Sequence, residues 1–232
     1  MGKNIKSQKR GRGTTTFTRP SFNYVAQTHI GKNGMATITE LVHCRAHSAP
    51  LAKLKHEDGS ITHIIAPEGI KTGQQISIGS GDLVNGNILP LGSIPEGTNV
   101  FNIESNPGDG GKYVKASGLT AKVIAKTSEK VTILLPSKKN KEFSPDCRAI
   151  IGTISGGGRP DKPFYKAGKK FHRMKAKNLY WPDVCGQSMN AVDHPLGGRS
   201  SHHKGKPGIA PHNAPPGAKV GSIRPRRTGK KR

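Results

Sequence analysis

The chain has 232 residues, with 38 Lys and Arg against 14 Asp and Glu, a formal net charge of +24 and a pI near 10.3. A chain with that excess repels itself and works against a polyanion, of which phosphate-rich nucleic acid is the usual one. No apolar run approaches the roughly 20 residues that cross a bilayer, no apolar secretory region follows Met1, and Lys6 spoils the acylation pattern that Met1-Gly2 would open, so a cytosolic protein with no membrane partner is expected.

Hydrophobic residues make up 32%, beside 30 Gly and 17 Pro, which is too little apolar side chain to pack the whole length into one core. Cys44, Cys147 and Cys185 stand far apart with no CxxC, which suits a reducing compartment and offers no disulfide framework. The charge is unevenly spread. Residues 1–32 carry seven basic residues and no acidic ones, residues 33–155 carry 13 and 11, and residues 156–232 carry 18 and three. The near-neutral middle can fold as an ordinary globular unit, whereas the ends lack apolar periodicity and are expected to stay extended until a partner orders them.

In chain order, residues 8–17 mix Lys9, Arg10 and Arg12 with glycines and Phe17, followed by Arg19. Glycine lets the backbone approach phosphates and Arg offers a forked donor; a solubilising tail is the bland alternative. Short β-branched runs follow at 37–42, 51–55, 61–65 and 75–78, and again at 87–91, 99–103, 121–125, 131–135 and 150–154, punctuated by Asp58-Gly59, Pro67-Glu68-Gly69 and Gly79-Ser80-Gly81. This spacing predicts two small β-barrels joined near residues 80–87 rather than βαβ units, each near the lower size limit for an independent core. The turn Asn106-Pro107-Gly108-Asp109-Gly110-Gly111-Lys112 lacks the spacing of a nucleotide-binding loop. Its amides and Lys112 are expected to meet backbone phosphate, with Lys115 and Arg148 as further cations of the middle segment.

Gly156-Gly157-Gly158-Arg159-Pro160-Asp161-Lys162 opens a basic stretch, Lys166, Lys169, Lys170, Arg173, Lys175 and Lys177, interleaved with Phe164, Tyr165, Phe171, His172, Tyr180 and Trp181. Cations with spaced aromatics suit a surface that neutralises phosphate and stacks on bases, partly on a short helix around 165–177; a solvated charged helix is the alternative. In the segment 189–199, Asp193 beside His194 invites an acid/base reading. Adjacent residues seldom face each other, however, and Cys185, Ser188 and Ser200 are near only in sequence. His194, His202, His203, His212 and Cys185 match no standard zinc spacing, and no metal is expected. The reading that fits best is a loop fixed by Pro195 and its glycines, placing Asn190, His194 and Arg199 in an RNA pocket. The remainder, with Lys204, Lys206, Arg224, Arg226 and Arg227, is Pro- and Gly-rich and threads along RNA or stays loose.

These stretches carry a specific resemblance. GRGTTTF at 11–17, SAPLAKL at 48–54, APEGI at 66–70, the run from Gly86 to Gly118 containing NPGDGGK, the run from Cys147 to Lys177, and MNAVDHPLGG at 189–198 with GKP downstream together resemble the universal large-subunit ribosomal protein family called "L-two", in its archaeal and eukaryotic branch. The resemblance implies an all-β protein: a basic N-terminal extension at 1–34, an OB-like barrel at 35–84, an SH3-like barrel at 85–156 and a basic C-terminal extension at 157–232. It implies a structural constituent of the large subunit that binds large-subunit rRNA near the peptidyl transferase centre. Assembly, subunit association through a small-subunit contact, tRNA placement and peptide bond formation would be supported there. Neighbouring ribosomal proteins are the other partners; no homo-oligomer, cofactor or catalytic residue is expected, and structural Mg2+ would belong to the rRNA. The family's notable histidine falls on His194, in a loop that supports an RNA-based chemistry. Where the family has Arg-Gly-Val-Ala before Met-Asn, this chain has Cys185-Gly186-Gln187-Ser188, so one phosphate-pairing Arg is missing; Arg199 restores a cation nearby. From residues alone, a chromatin-like architectural protein and a hydrolase or transferase using Asp193 and His194 are the rival classes.

Overall fold

The β-branched runs of the middle segment pair into one sheet. In the computed structural model, which describes residues 2–18, 23–198 and 205–225, the strands β1 (Gly34–Val42), β2 (Leu51–His56), β3 (Ile61–Ile65) and β4 (Gln75–Ile78) lie antiparallel in the order β3-β2-β1-β4. Six more strands continue the sheet: β5 (Ile88–Pro90), β6 (Asn99–Phe101), β7 (Ala121–Lys126), β8 (Val131–Leu134), β9 (Asn140–Phe143) and β10 (Arg148–Ile151). Their order is β5-β10-β6-β7-β8-β9, and a single parallel bridge, Ile78 to Ile88, joins the two halves. The protein is therefore mostly sheet.

Alternation decides which face is buried. Ala36 and Ile38, Ile76 and Ile78, and Val131 and Ile133 point inward, each at most 2% exposed. In β1 the register slips between Ile38 and Glu40; the extra residue, Thr39, donates its hydroxyl to the Lys53 carbonyl, and beyond this bulge the inward alternation ends, with Glu40 and Leu41 both exposed. Two apolar cores result. One gathers Ile30, Ile38, Leu51, Leu54, Ile64 and Ile76, with Phe101 and Ile150 reaching into it. The other gathers Leu89, Leu91, Val100, Val123, Ile133 and Phe143.

The strand β9 lies outside the expected runs. Its sequence, Asn-Lys-Glu-Phe, is too polar to advertise a strand. It forms because a turn with Lys138 at φ 60° folds it antiparallel onto β8, burying Phe143 while the Lys141 ammonium lies 4.2 Å from the Tyr113 ring centroid.

The loop after β6 is organised by one carboxylate. Glu104 is fully buried. It accepts from the backbone amides of Gly108, Gly110 and Arg148 at 3.2, 3.2 and 2.9 Å, and the Arg148 guanidinium clamps both oxygens, Nη2 to Oε1 at 2.9 Å and Nε to Oε2 at 3.3 Å. The same guanidinium donates to the Gly31 carbonyl at 2.9 Å and to Asn33 at 3.3 Å. Asp109 takes the amides of Ser105, Asn106 and Gly111. Gly111 is held at φ +90°, and a Cβ there would come 2.4 Å from the buried Asn102 amide oxygen, so no other residue fits.

The chain ends, Met1–Ser21 and Lys166–Arg232, cluster into a second unit, separate from the sheet unit Phe22–Tyr165. It contains α1 (Lys6–Gly11) and α2 (Ala167–Ala176), the latter within the expected 165–177. The α1 helix was not foreseen, because six residues cannot show an apolar stripe. The Gln8 side chain accepts from the Ile5 amide at 3.0 Å, satisfying a donor that precedes the first turn, and Lys9 and Arg10 sit in its last turn, where the helix dipole favours cations.

Burial pushes the Glu104 carboxyl up, but the Arg148 hydrogen bonds and the amides of Arg148 and Gly108 outweigh it and hold the group below the ordinary glutamate value. Its stabilising contribution is therefore complete above the unfolded-state pKa and is lost as pH falls through the depressed folded value. Glu104→Gln in the full chain is expected to lower the unfolding free energy by about 3–5 kcal/mol, since it leaves the Arg148 charge half-buried and unpaired. It should also remove part of the acid sensitivity of the wild type. Urea denaturation across pH reads both, and a loss below about 1 kcal/mol would contradict the assignment.

Candidate nucleic-acid interface

The cations named from the sequence divide into three groups. Lys9, Arg10, Arg12, Lys112, Arg159, Lys162, Lys166, Lys169, Lys175, Lys206 and Arg224 are exposed, as is Asn190. Lys115, Arg148, Lys170, Arg173, Lys177, Trp181 and His194 are half-buried. Arg19, Arg199, Lys204, Arg226 and Arg227, with His202 and His203, lie outside the described residues.

Several of these groups are already engaged by the protein. The Arg148 guanidinium is spent on Glu104, so it adds no free charge to a ligand surface. The Lys115 ammonium donates to the Gly111 carbonyl at 3.2 Å; burial, then Lys112, lower its pKa, against the pull of Asp109. In the 106–112 turn, expected to meet phosphate, the amides of Asn106 and Gly111 donate to Asp109, those of Gly108 and Gly110 to Glu104, and those of Asp109 and Lys112 to backbone carbonyls. These amides are thus paired within the protein, and the Lys112 side chain remains exposed. Arg159, by contrast, is exposed and donates to the Ser48 carbonyl at 2.6 Å.

The end unit holds the loop that carries His194. Its turns close through hydrogen bonds from His194 N to Asn190 O at 3.2 Å, Gly197 N to His194 O at 2.9 Å and Gly198 N to Met189 O at 2.9 Å. The His194 Nδ1 accepts the Leu196 amide at 3.1 Å, which puts the proton of the neutral ring on Nε2. Burial lowers the imidazole pKa. One ring face lies over Gly186, where a Cβ would come 2.4–2.6 Å from three ring atoms.

Asp193 does not serve His194. Its carboxylate pairs with the Lys3 ammonium at 3.2 Å, and the Lys3 amide donates to the Val192 carbonyl at 2.7 Å. The arm and the loop meet again at Asp183, whose carboxylate holds Lys6 at 2.5 Å. Thus two of the three acids in residues 156–232 are counter-ions for lysines of the arm, and neither is placed for catalysis. Sequence reading missed Lys3 and Lys6; the signal was the rarity of acids in a basic tail, which implies that each has a specific partner. Among the described residues no three His, Cys, Asp or Glu side chains converge to hold a metal, and the Cys185 thiol lies 3.7 Å from the Gln187 side chain.

Trp181 lies beneath the Lys170 ammonium, 5.3 Å from ring centroid to nitrogen. Phe17 stacks near-parallel to Tyr180, and Asn178 donates to the Thr18 carbonyl at 2.9 Å. Cations and aromatics are therefore brought together on the end unit, in the arrangement that neutralises phosphate while offering ring faces to bases.

The Gly186 contact has a measurable consequence. Gly186→Ala is expected to push the imidazole off its seat, so that His194 titrates closer to the ordinary value of 6.5 than in the wild type, where burial holds it lower. Overpacking of this kind costs about 1–3 kcal/mol locally. Proton NMR titration of His194 reads the shift; identical titration curves would contradict the assigned packing.

A family model described as Ribosomal Proteins L2, C-terminal domain, matches residues 84–215. The chain is 49% identical to the large ribosomal subunit protein uL2 of Archaeoglobus fulgidus, covering 100% of both chains. It is 48% identical to the protein of the same name from Haloarcula marismortui over 99% of this chain and 98% of that one, and 47% identical to that of Methanococcoides burtonii over 100% of both. With the family model matching more than half of its length and relatives matching it end to end, the chain belongs to the uL2 family of large ribosomal subunit proteins, in its archaeal branch.

Proposed function

We propose that the chain is a structural, non-enzymatic constituent of the cytoplasmic large ribosomal subunit, binding large-subunit rRNA near the peptidyl transferase centre. There it supports assembly, subunit association through a small-subunit contact, tRNA placement and peptide bond formation. Neighbouring ribosomal proteins are its other partners. The four strands β1–β4 form the OB-like barrel of residues 35–84 and the later strands the SH3-like barrel of 85–156; residues 1–34 and 157–232 are the rRNA-embedded extensions.

One observation carries the reading. Among the described residues of the end unit, Ala210 is the one buried hydrophobic side chain, whereas the sheet unit holds all the others. Residues 156–232 nevertheless carry 18 basic residues against three acidic ones. A segment with no apolar core and such an excess of charge is stabilised by a polyanion. Lys9, Arg10, Arg12, Lys112, Arg159, Lys162, Lys166, Lys169, Lys175, Lys206 and Arg224 supply the exposed cations, and Trp181, Asn190 and His194 the neutral contacts. The cations Lys170, Arg173 and Lys177 lie among those of the end unit, and Arg19, Arg199, Lys204, Arg226 and Arg227, outside the described residues, add further basic charge to the sequence. The hydrolase reading finds no support, because Asp193 is committed to Lys3 and the Nδ1 of His194 to a backbone amide.

With about eight phosphates contacted, the affinity for large-subunit rRNA fragments should fall with salt along a log–log slope of roughly −5 to −7. Arg12→Gln should make that slope shallower by about one unit. Filter binding across a salt series measures both. In fractionated cells the chain should remain on large subunits through a high-salt wash; recovery mainly with DNA would sink the proposal.

A further inference from the structure

Within the end unit, α1 and the segment after α2 enclose a cleft of about 340 Å3. Two near-parallel rings face into its lining, Phe17 and Tyr180, with centroids 6.0 Å apart and 18° between planes. Above them stand two cations: the Arg10 guanidinium 5.4 Å from the Phe17 ring and the Lys6 ammonium 5.6 Å from the Tyr180 ring. The Lys6 ammonium is fixed by Asp183 Oδ1 at 2.5 Å, while the Asp183 side chain keeps 63% of its surface exposed. Asn178, in the left-handed region at φ 51°, closes the far wall and ties it to the arm through its bond to Thr18.

We propose that this cleft is a binding site for a single unpaired nucleobase of RNA. The inference rests on the RNA-binding reading above and names the part of the chain that takes a base rather than a phosphate. Size is the first argument. Ligand sites begin near roughly 300 Å3, so the cleft admits one nucleotide and excludes a duplex. The rings are the second. Tyr180 keeps 39% of its surface exposed in a unit that offers almost no apolar core to bury it, and the part of the ring that Phe17 and Lys6 leave uncovered is what a base would stack on.

The carboxylate is the third argument and the most specific. Pairing with Lys6 occupies one oxygen of Asp183, and a groove meant only for phosphate gains nothing from the exposure of the other. In residues 156–232 acids are scarce, three against 18 bases, yet Asp183 lines this cleft. A carboxylate accepts from the N–H groups on a base edge. One oxygen is steadied by Lys6, and Oδ2 has no partner among the described residues. Arg10, exposed at the rim, is placed for the phosphate that follows the stacked base. The charges thus sort into a base-reading wall and a phosphate-reading rim.

The test uses the full chain and two labelled RNA octamers of equal length, one ordinary single strand and one lacking its bases, titrated over a salt series. For the ordinary strand, Tyr180→Leu should weaken binding roughly 5- to 150-fold, the equivalent of about 1–3 kcal/mol for one stacked base, with the salt slope unchanged. Tyr180→Phe should bind like the wild type. On the base-free strand, wild type and Tyr180→Leu should bind equally, and the wild type itself should bind that strand more weakly than the ordinary one. Equal wild-type affinity for both strands, with a normal salt slope, overturns the base site and leaves RNA binding standing. If Tyr180→Leu weakens both strands alike, the ring serves only the packing of the unit and the site is again overturned. No salt-dependent binding of either strand overturns this proposal and the RNA-binding reading together.

Discussion

The sheet unit turns on a buried carboxylate. Glu104 sits with no exposed surface and gathers three backbone amides and a forked guanidinium. A carboxylate stripped of water is tolerable only when its lone pairs are filled this completely. The partners come from three separate stretches: the glycine turn at 108–111, the first residue of β10, and, through the other arm of Arg148, the Gly31 carbonyl ahead of β1. Gly31 adjoins Ile30 in one core, while Ala149, next to Arg148, lies in the other. The ion pair therefore adds a buried tie between the two apolar clusters, beside the parallel bridge of β4 to β5 and the antiparallel bridge of Pro67 to Ile154.

The same rule, that an acid in a basic chain is placed against a named cation, organises the end unit without an apolar core. There the pairs are more exposed, Lys3 with Asp193 and Lys6 with Asp183, and each contributes little in water, typically about 0.2–1 kcal/mol. Such bonds select an arrangement more than they stabilise it. On the proposed function, a polyanion would supply the remaining charge and tie the folding of this unit to the binding of its partner.

Legibility in the sequence followed from how each element is held. Strands with β-branched alternation, such as Gln75–Ile78 and Val131–Leu134, announce themselves because burial of one face is what makes them strands. The β9 strand does not, since it contributes one buried ring and otherwise completes a hairpin, and hairpin pairing is a property of two segments that no single window contains. The α1 helix is hidden for a related reason: it is held by a side-chain cap and by docking against distant residues. In the 106–112 turn, glycine and lysine mark backbone that approaches an anion, and the pattern is the same whether that anion is a phosphate or the protein's own Glu104. What distinguishes them is a buried acid four residues before the glycines, visible in the sequence as Glu104 but silent about its burial.

The acids also bear on where specificity resides. Each cation adds affinity for any phosphate backbone, since counterion release takes no account of sequence. A chain with a net charge of +24 that relied on cations alone would bind any RNA strand. Groups that repel phosphate work the other way: an exposed carboxylate such as Asp183 penalises a backbone passing over it and is compensated only by a base edge that donates to it. If the cleft takes a base as proposed, selectivity among RNA sites falls to the few acids and aromatic rings, while the many lysines and arginines set the strength of binding.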